Sequence, residues 1–447
     1  MGFNFRLFFR LTYKVFFKAK GTHYRLTPRR IRFLFIFYPL YIAIEMFAWL
    51  GFLLDEIFFP RYHKQEIHEP VFIIGNMRSG TTFLHRMMAK DDTTFTTMAL
   101  WEMIFAPSIT ARKIVWGLAA VDKRLGSPVE KWLFSREKDV MAPIEAHKIG
   151  LREAEEDEHL MMHIASTTAA WVAAPVKEEI YPYFFFDRDL PEQEKARVMK
   201  FYRNCIQRHL YAHGGEKKLL SKNPGFTPKI DSLYQYFPDA RIVYTARNPL
   251  SVVPSVMNYL SFGWHLFGDP LEKYPYRDQF IDITRYYYEY PIERMKQAPP
   301  GSYTVVDYDD LVANPKETVT TVYNRFGYSL TQQFSQQLKK SEEQARTYRS
   351  KHAYSLKQIG LKRIRLISGF KWVFKRFGFD TGFGQEMTAS ASQRRFYREN
   401  RRSLRRHRRK KVTRLAARVS KRRQRAMRRT EAARSAWFVR LSRKSLE

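Results

Sequence analysis

Val71-Phe72-Ile73-Ile74-Gly75-Asn76-Met77-Arg78-Ser79-Gly80-Thr81-Thr82-Phe83-Leu84-His85-Arg86-Met87-Met88 decides how this chain folds. Val71 to Ile74 is a short apolar run of buried-strand type, Gly75 to Gly80 is a glycine-bracketed turn, and Thr81-Thr82 open a segment with helical periodicity. A strand that runs through such a turn into a helix start gathers backbone N–H groups at the positive end of a helix dipole, which suits an anion such as phosphate. The turn is similar to a Walker A loop with one decisive departure. Nucleotide hydrolysis needs Lys and then Ser or Thr after the second glycine. Here Thr81 holds the lysine position, and the cation, Arg78, sits inside the turn, where a guanidinium can fork onto a phosphate.

Outward from that stretch, Leu219-Leu220-Ser221 leads into Lys222-Asn223-Pro224, and Thr227-Pro228 read as the cap and first turn of a helix ending near Phe237. Arg241 to Ala246 (RIVYTA) is a second buried-type strand. Arg247 stands at its carboxyl end, and Asn248-Pro249 start the next helix at once. Ser255 follows Arg247 by eight residues, about two helical turns on. An arginine at a strand end and a hydroxyl on the following helix can clasp one more phosphate, at the edge where open α/β sheets take their ligands. Alone, this second motif reads as a structural turn; the pair together carries the weight.

The two constellations resemble the sulfotransferase superfamily, whose members use 3′-phosphoadenosine 5′-phosphosulfate (PAPS) as donor. Arg78, Ser79, Gly80, Thr81 and Thr82 look like the family's 5′-phosphosulfate loop, in a form similar to the bacterial and tyrosylprotein branches. Arg247 and Ser255 resemble its 3′-phosphate motif. The resemblance covers roughly residues 70–380. It implies a three-layer, P-loop-type α/β fold with a mostly parallel sheet, and transfer of a sulfuryl group to an acceptor hydroxyl. It further implies that Glu102 is the general base, that Lys222 balances charge on the leaving oxygen, that Tyr308 of Asp307-Tyr308-Asp309-Asp310-Leu311 approaches the nucleotide, and that Ser355 of His352-Ala353-Tyr354-Ser355-Leu356 is a second stabiliser. The family's closing Arg-Lys-Gly string is not found. By residue type alone, Glu102 also reads as a helix-surface carboxylate. The run Glu153, Glu155, Glu156, Asp157, Glu158, His159 is its rival as base, or else a solvated face.

No metal-binding spacing occurs among the twelve histidines and the single cysteine, Cys205, so no metal is expected. One cysteine allows no internal disulfide and asks for no oxidising compartment. The net charge of +34 is concentrated at the ends: residues 1–32 carry nine Lys/Arg and no acid, and residues 394–447 carry 23 against three. Phe3, Phe5, Phe8, Phe9, Phe16 and Phe17 interleave with Arg6, Arg10, Lys14 and Lys18, a pattern suited to an anionic bilayer surface. Phe33 to Leu54 is nearly unbroken apolar sequence of close to spanning length, interrupted by Pro39 and Glu45. Interfacial insertion is the preferred reading, with a true span and a packed helix as alternatives. These features divide the chain into a membrane-associated region (1–66), a sulfotransferase domain (67–385) and a basic helical or disordered tail (386–447). The expected location is the cytoplasmic face of a membrane, and the expected acceptor a hydroxyl on a lipid or carbohydrate. Two rival functions are a P-loop kinase or NTPase, opposed by Thr81, and nucleic-acid binding through the tail, for which lipid headgroups are the preferred alternative.

Overall fold

The computed structural model describes residues 2–141, 150–347 and 355–381. Five strands, β1 (Val71–Gly75), β2 (Phe95–Thr96), β3 (Lys218–Lys222), β4 (Arg241–Ala246) and β5 (Tyr303–Asp307), form one sheet in the order β2-β3-β1-β4-β5. Every pairing is parallel. The helices that matter below are α1 (Phe5–Phe17), α2 (Pro28–Phe58), α3 (Thr81–Met88), α4 (Leu100–Ile104), α5 (Ile109–Arg124), α6 (Pro128–Met141), α7 (Glu192–Ala212), α8 (Ile230–Tyr236), α9 (Pro249–Phe267), α10 (Arg277–Met295), α11 (Tyr308–Ala313), α12 (Pro315–Phe326) and α13 (Gln332–Thr347).

Successive side chains of a strand point to opposite faces, so a fully buried strand must feed two cores. In β1, Phe72 and Ile74 join a large cluster with Tyr202 of α7, Leu233 of α8 and Tyr287 of α10. Val71 and Ile73 join a second cluster with Leu84 of α3, Val322 of α12 and Leu338 of α13. Ile242 and Tyr244 of β4 share the first, and Val243 the second. The result is the helix–sheet–helix sandwich that the resemblance implies.

Two local expectations change. Asn223, not Thr227, caps the turn after β3: its side chain accepts from the Gly225 N–H at 2.8 Å and opens a 3-10 turn, Pro224–Lys229, ahead of α8. Thr227 is left free to brace β1. The apolar stretch at 33–54 is part of a longer helix, α2, which runs unbroken through Pro39 and packs on the sheet-bearing body within one compact unit, Met1–Phe379. Residues from Asp380 onward form a second unit, and the tail at 386–447 lies outside the described residues.

Candidate active site

β1 and β4 are neighbours in register, Gly75 opposite Thr245, yet the helices that follow them go to opposite faces. Leu84, Met87 and Met88 of α3 pack in the second core, whereas Val252, Val253 and Val256 of α9 pack in the first. Where adjacent strands part their helices in this way, a crevice opens above their carboxyl ends. The loop at 75–82 and the Arg247 motif both stand on that crevice.

The loop is held from below by hydroxyls. Thr227 Oγ1 accepts from the Gly75 N–H at 2.9 Å and donates to the Gly75 carbonyl at 2.8 Å. Ser79 Oγ, fully buried, donates to the Asn76 carbonyl at 2.5 Å and meets Thr245 Oγ1 at 2.7 Å. These bonds fix Arg78 at φ 69° and Gly80 at φ 92°, both left-handed. A non-glycine residue held there stores strain of about 1–3 kcal/mol, a price met at functional sites. As at any helix start, the first N–H groups of α3 lack intrahelical acceptors, and they face the crevice mouth. A Cβ on Gly80 would fall 2.8 Å from the Tyr308 ring, so Gly80→Ala is expected to cost about 1–3 kcal/mol in chemical denaturation through strain and collision together.

Arg78 and Arg247, far apart in sequence, meet here. Arg247 Nη1 donates to the Arg78 carbonyl at 2.7 Å, and Arg78 Nε donates to Ser255 Oγ at 3.1 Å. The Tyr308 ring, at the start of α11, lies 3.9 Å from the Arg247 guanidinium carbon. Burial lowers the pKa of Arg247, and the charge of Arg78 adds to that lowering. Two cations brought together in a half-buried crevice make a site of anion type, with an aromatic face beside it.

Lys222, at the carboxyl end of β3, has its side chain almost wholly buried; its Nζ lies 3.1 Å from Glu156 and 3.6 Å from Glu155. Arg86 of α3 approaches Glu155 at 3.4 Å. Tyr259 of α9 ties this group to the loop: burial, then Glu156, pushes its phenol up to about 12, while Arg78 opposes the rise. Asp157 and Glu158 of the acidic run face inward, while Glu153 is exposed. Glu158 accepts from the Thr168 N–H at 2.8 Å and pairs with Lys229 at 3.3 Å. Burial raises Asp157 to about 6 despite hydrogen bonds from Tyr202 and Ser221. From Glu155 to Glu158 the run is therefore no solvated face: its first two carboxylates stand beside Lys222 and its last two are buried.

Glu102 stands elsewhere. Its carboxylate accepts from the Ala99 N–H at 2.9 Å, meets His213 Nε2 at 2.8 Å and lies 3.9 Å from Arg112 Nε. Burial alone would raise its pKa, but the His213 bond and the charge of Arg112 hold it at about 2. The cluster also contains His209, which bonds Thr96 at 2.8 Å. Thr96 pairs with Leu219, three residues before Lys222 on β3, which separates the cluster from Lys222 by roughly 10 Å along the strand. Ser355 is exposed at the head of a 3-10 turn, Leu356–Ile359, its N–H donating to Gln358 Oε1 at 3.0 Å. Its neighbours 352–354 lie outside the described residues. Thr245, Tyr259 and Arg86 belong to no motif in the sequence, and Thr227 reads there only as a helix cap. Only a hydroxyl inside an otherwise apolar strand, Thr245 in RIVYTA, offered a local signal.

A parallel sheet with an anion-type loop after its central strand, and paired arginines instead of a Walker lysine, defines an α/β protein of the P-loop type. A model of the sulfotransferase family matches residues 70–332, more than half of the chain, and the chain belongs to that family. Omega-hydroxy-beta-dihydromenaquinone-9 sulfotransferases of Mycobacterium bovis and Mycobacterium tuberculosis are 22% identical over 266 residues, 58% of this chain and 62% of theirs. Sulfotransferase STF9 of Mycobacterium avium shares the fold with a TM-score of 0.62 at 14% identity, over 85% of this chain and 98% of that one. STF1 of M. tuberculosis does so with a TM-score of 0.52 at 20% identity, over 82% and 97%.

Proposed function

We propose that this protein transfers a sulfuryl group from PAPS to a hydroxyl on a lipid or carbohydrate acceptor, at the cytoplasmic face of a membrane. The observation that carries this reading is the meeting of Arg78, Ser255 and Arg247 in one crevice, roofed by Tyr308. The residues fit a bisphosphorylated adenosine: an N–H-rich helix start with Arg78 to Thr82 for the 5′ end, Arg247 and Ser255 for the 3′-phosphate, and the Tyr308 face beside them. Bound PAPS would supply the activated sulfuryl group. Lys222 would steady negative charge on the departing oxygen. Ser355 remains a candidate second stabiliser.

The acceptor proton needs a carboxylate next to Lys222. Glu156 and Glu155, beside that ammonium and partly open, suit the role better than Glu102, whose oxygens serve a backbone N–H, one imidazole and a buried guanidinium. On the acceptor side, a cleft of about 570 Å³ opens along α9 from Asn258, one turn past Ser255, and is lined by Ser261, Phe262, His265 and Leu271. Its mix of apolar and polar residues, with Glu272 and Lys273 also on its wall, suits an amphipathic acceptor. The relatives named above, sulfotransferases named for a hydroxylated menaquinone, point the same way. This chain spans only 62% of their length, so the acceptor rests on that cleft as much as on them.

Calorimetry with 3′,5′-ADP tests the donor site. Binding is expected without Mg²⁺, with a loss of at least about 1.5 kcal/mol for Arg78→Ala and for Arg247→Ala from one charged hydrogen bond each. Equal affinity for 5′-AMP would sink the 3′-phosphate assignment.

A further inference from the structure

α2 has 31 residues, about 46 Å of helix, with an apolar window long enough to cross a bilayer, of which only 17% is buried. Its two sides are unlike. The inner stripe is tied to the body from end to end. Arg30 donates to the carbonyls of Phe267 at 3.0 Å and Ala173 at 2.9 Å. Tyr41 donates to the Met162 carbonyl at 2.7 Å, Glu45 meets His163 Nδ1 at 3.0 Å, and Trp49 donates to the His163 carbonyl at 3.1 Å. Asp55 accepts from the N–H groups of Ile109 and Thr110, each at 2.8 Å, and from Arg208 Nε at 3.0 Å. The outer stripe is bare: Phe35 is 73% exposed, Met46 69% and Ile57 62%, with Leu40 and Leu50 between them.

A span would need α2 stripped from the body, with Arg30, Glu45 and Asp55 losing buried partners and two of them entering hydrocarbon, which is costly. The apolar surface also continues past both ends of the helix. α1 lies against it through Tyr38 Oη to Thr12 Oγ1 at 3.1 Å, and turns Phe5, Phe9, Tyr13 and Phe17 outward beside exposed Arg6 and Arg10. Next to Phe58 and Phe59, α5 carries exposed Ile114, Leu118 and Val121, with exposed Leu125 at its C-cap and Lys123 and Arg124 in its last turn. No acidic residue occurs in residues 1–44, whose exposed cations include Arg25, Arg29 and Arg32.

We propose that α2, flanked by α1 and α5, is an in-plane seat on an anionic bilayer surface, its outer stripe sunk among the headgroups along its whole length. Such a surface matches the basic rim, whereas a second copy of the chain would set cation against cation. The inference deepens the membrane reading above: it fixes how the protein meets the bilayer and leaves the donor chemistry apart. The segment that grips α2 at Met162 and His163 is the same 3-10 stretch, Asp157–Ile164, that begins beside Lys222, so seat and crevice are joined by eight residues.

Single cysteines placed at Phe35, Met46 and Ile57 of the full chain, labelled with an environment-sensitive fluorophore, test the seat on phosphatidylglycerol vesicles; native Cys205 is buried. Equal quenching of all three by one shallow lipid quencher is expected, with at least tenfold weaker binding to phosphatidylcholine alone. A deep probe at residue 46 between two headgroup-level probes would establish a span and overturn the proposal. So would a vesicle-indifferent dimer in sedimentation. The double variant Phe35→Glu/Met46→Glu should lose vesicle binding at least tenfold while keeping its affinity for 3′,5′-ADP, and retained vesicle binding would count against the seat. Because nucleotide affinity is read on the same samples, failure of the seat and failure of the donor site are told apart.

Discussion

Lys222→Ala is expected to lower the rate of 3′,5′-ADP release from PAPS by about 10²–10³-fold, the usual cost of removing one fixed charge stabiliser from a transition state. Affinity for 3′,5′-ADP should change little, because the arginines, not Lys222, would hold the phosphates. The variant should fold: Glu155 keeps Arg86 at 3.4 Å, and Glu156 is partly open to water. Single-turnover kinetics on a thermally checked sample separates the two quantities. A fall in affinity with an unchanged rate would move Lys222 from the chemistry to donor binding. Glu156→Gln should also slow turnover, by about 10²–10⁴-fold if its carboxylate takes the acceptor proton.

Glu102→Gln should do the reverse, costing stability and sparing the rate in whatever remains folded. Arg112 is almost fully buried, and an amide in place of Glu102 leaves its charge uncompensated, at a cost of about 3–5 kcal/mol. The pH dependence supplies a second reading. The carboxylate, near 4.5 when unfolded, is held at about 2 in the fold, so its stabilisation is present above pH 4.5 and fades as pH falls towards 2. Denaturation of the wild type should show that decline, and the variant should lack its share of it. A large loss of rate in well-folded Glu102→Gln would restore Glu102 as the base.

Local chemistry made the centre of the fold readable. β1, its turn and α3 announce themselves within eighteen consecutive residues, and Asn248-Pro249 start α9 where a cap and a first-turn proline should. Arg247 and Ser255 are close in sequence, with only Asn248 between Arg247 and the helix that carries Ser255, so their nearness is readable locally. The surroundings of Glu102 escape the sequence for the opposite reason: its partners Arg112 and His213 come from α5 and the end of α7, and only the packed chain brings them to it. The acidic run at 153–158 read equally well as a solvated face, since the side chains that bury Asp157 and Glu158, Tyr202, Ser221 and Lys229 among them, arrive from distant segments. In α2, the polar residues looked like interruptions of a span. Their spacing, Arg30, Glu45 and Asp55 with Tyr41 between, is the stripe of a helix docked on protein.

The ammonium of Lys222 rests between two carboxylates, and that has a consequence for the order of events. An incoming phosphosulfate anhydride competes for the same positive charge, and what it draws away is lost to Glu155 and Glu156. Glu155 keeps Arg86, so Glu156 is the carboxylate left without a partner cation once the donor is seated. Loading the donor would thus release Glu156, the base proposed above, from its ion pair, and an acceptor that came first would meet that carboxylate still paired.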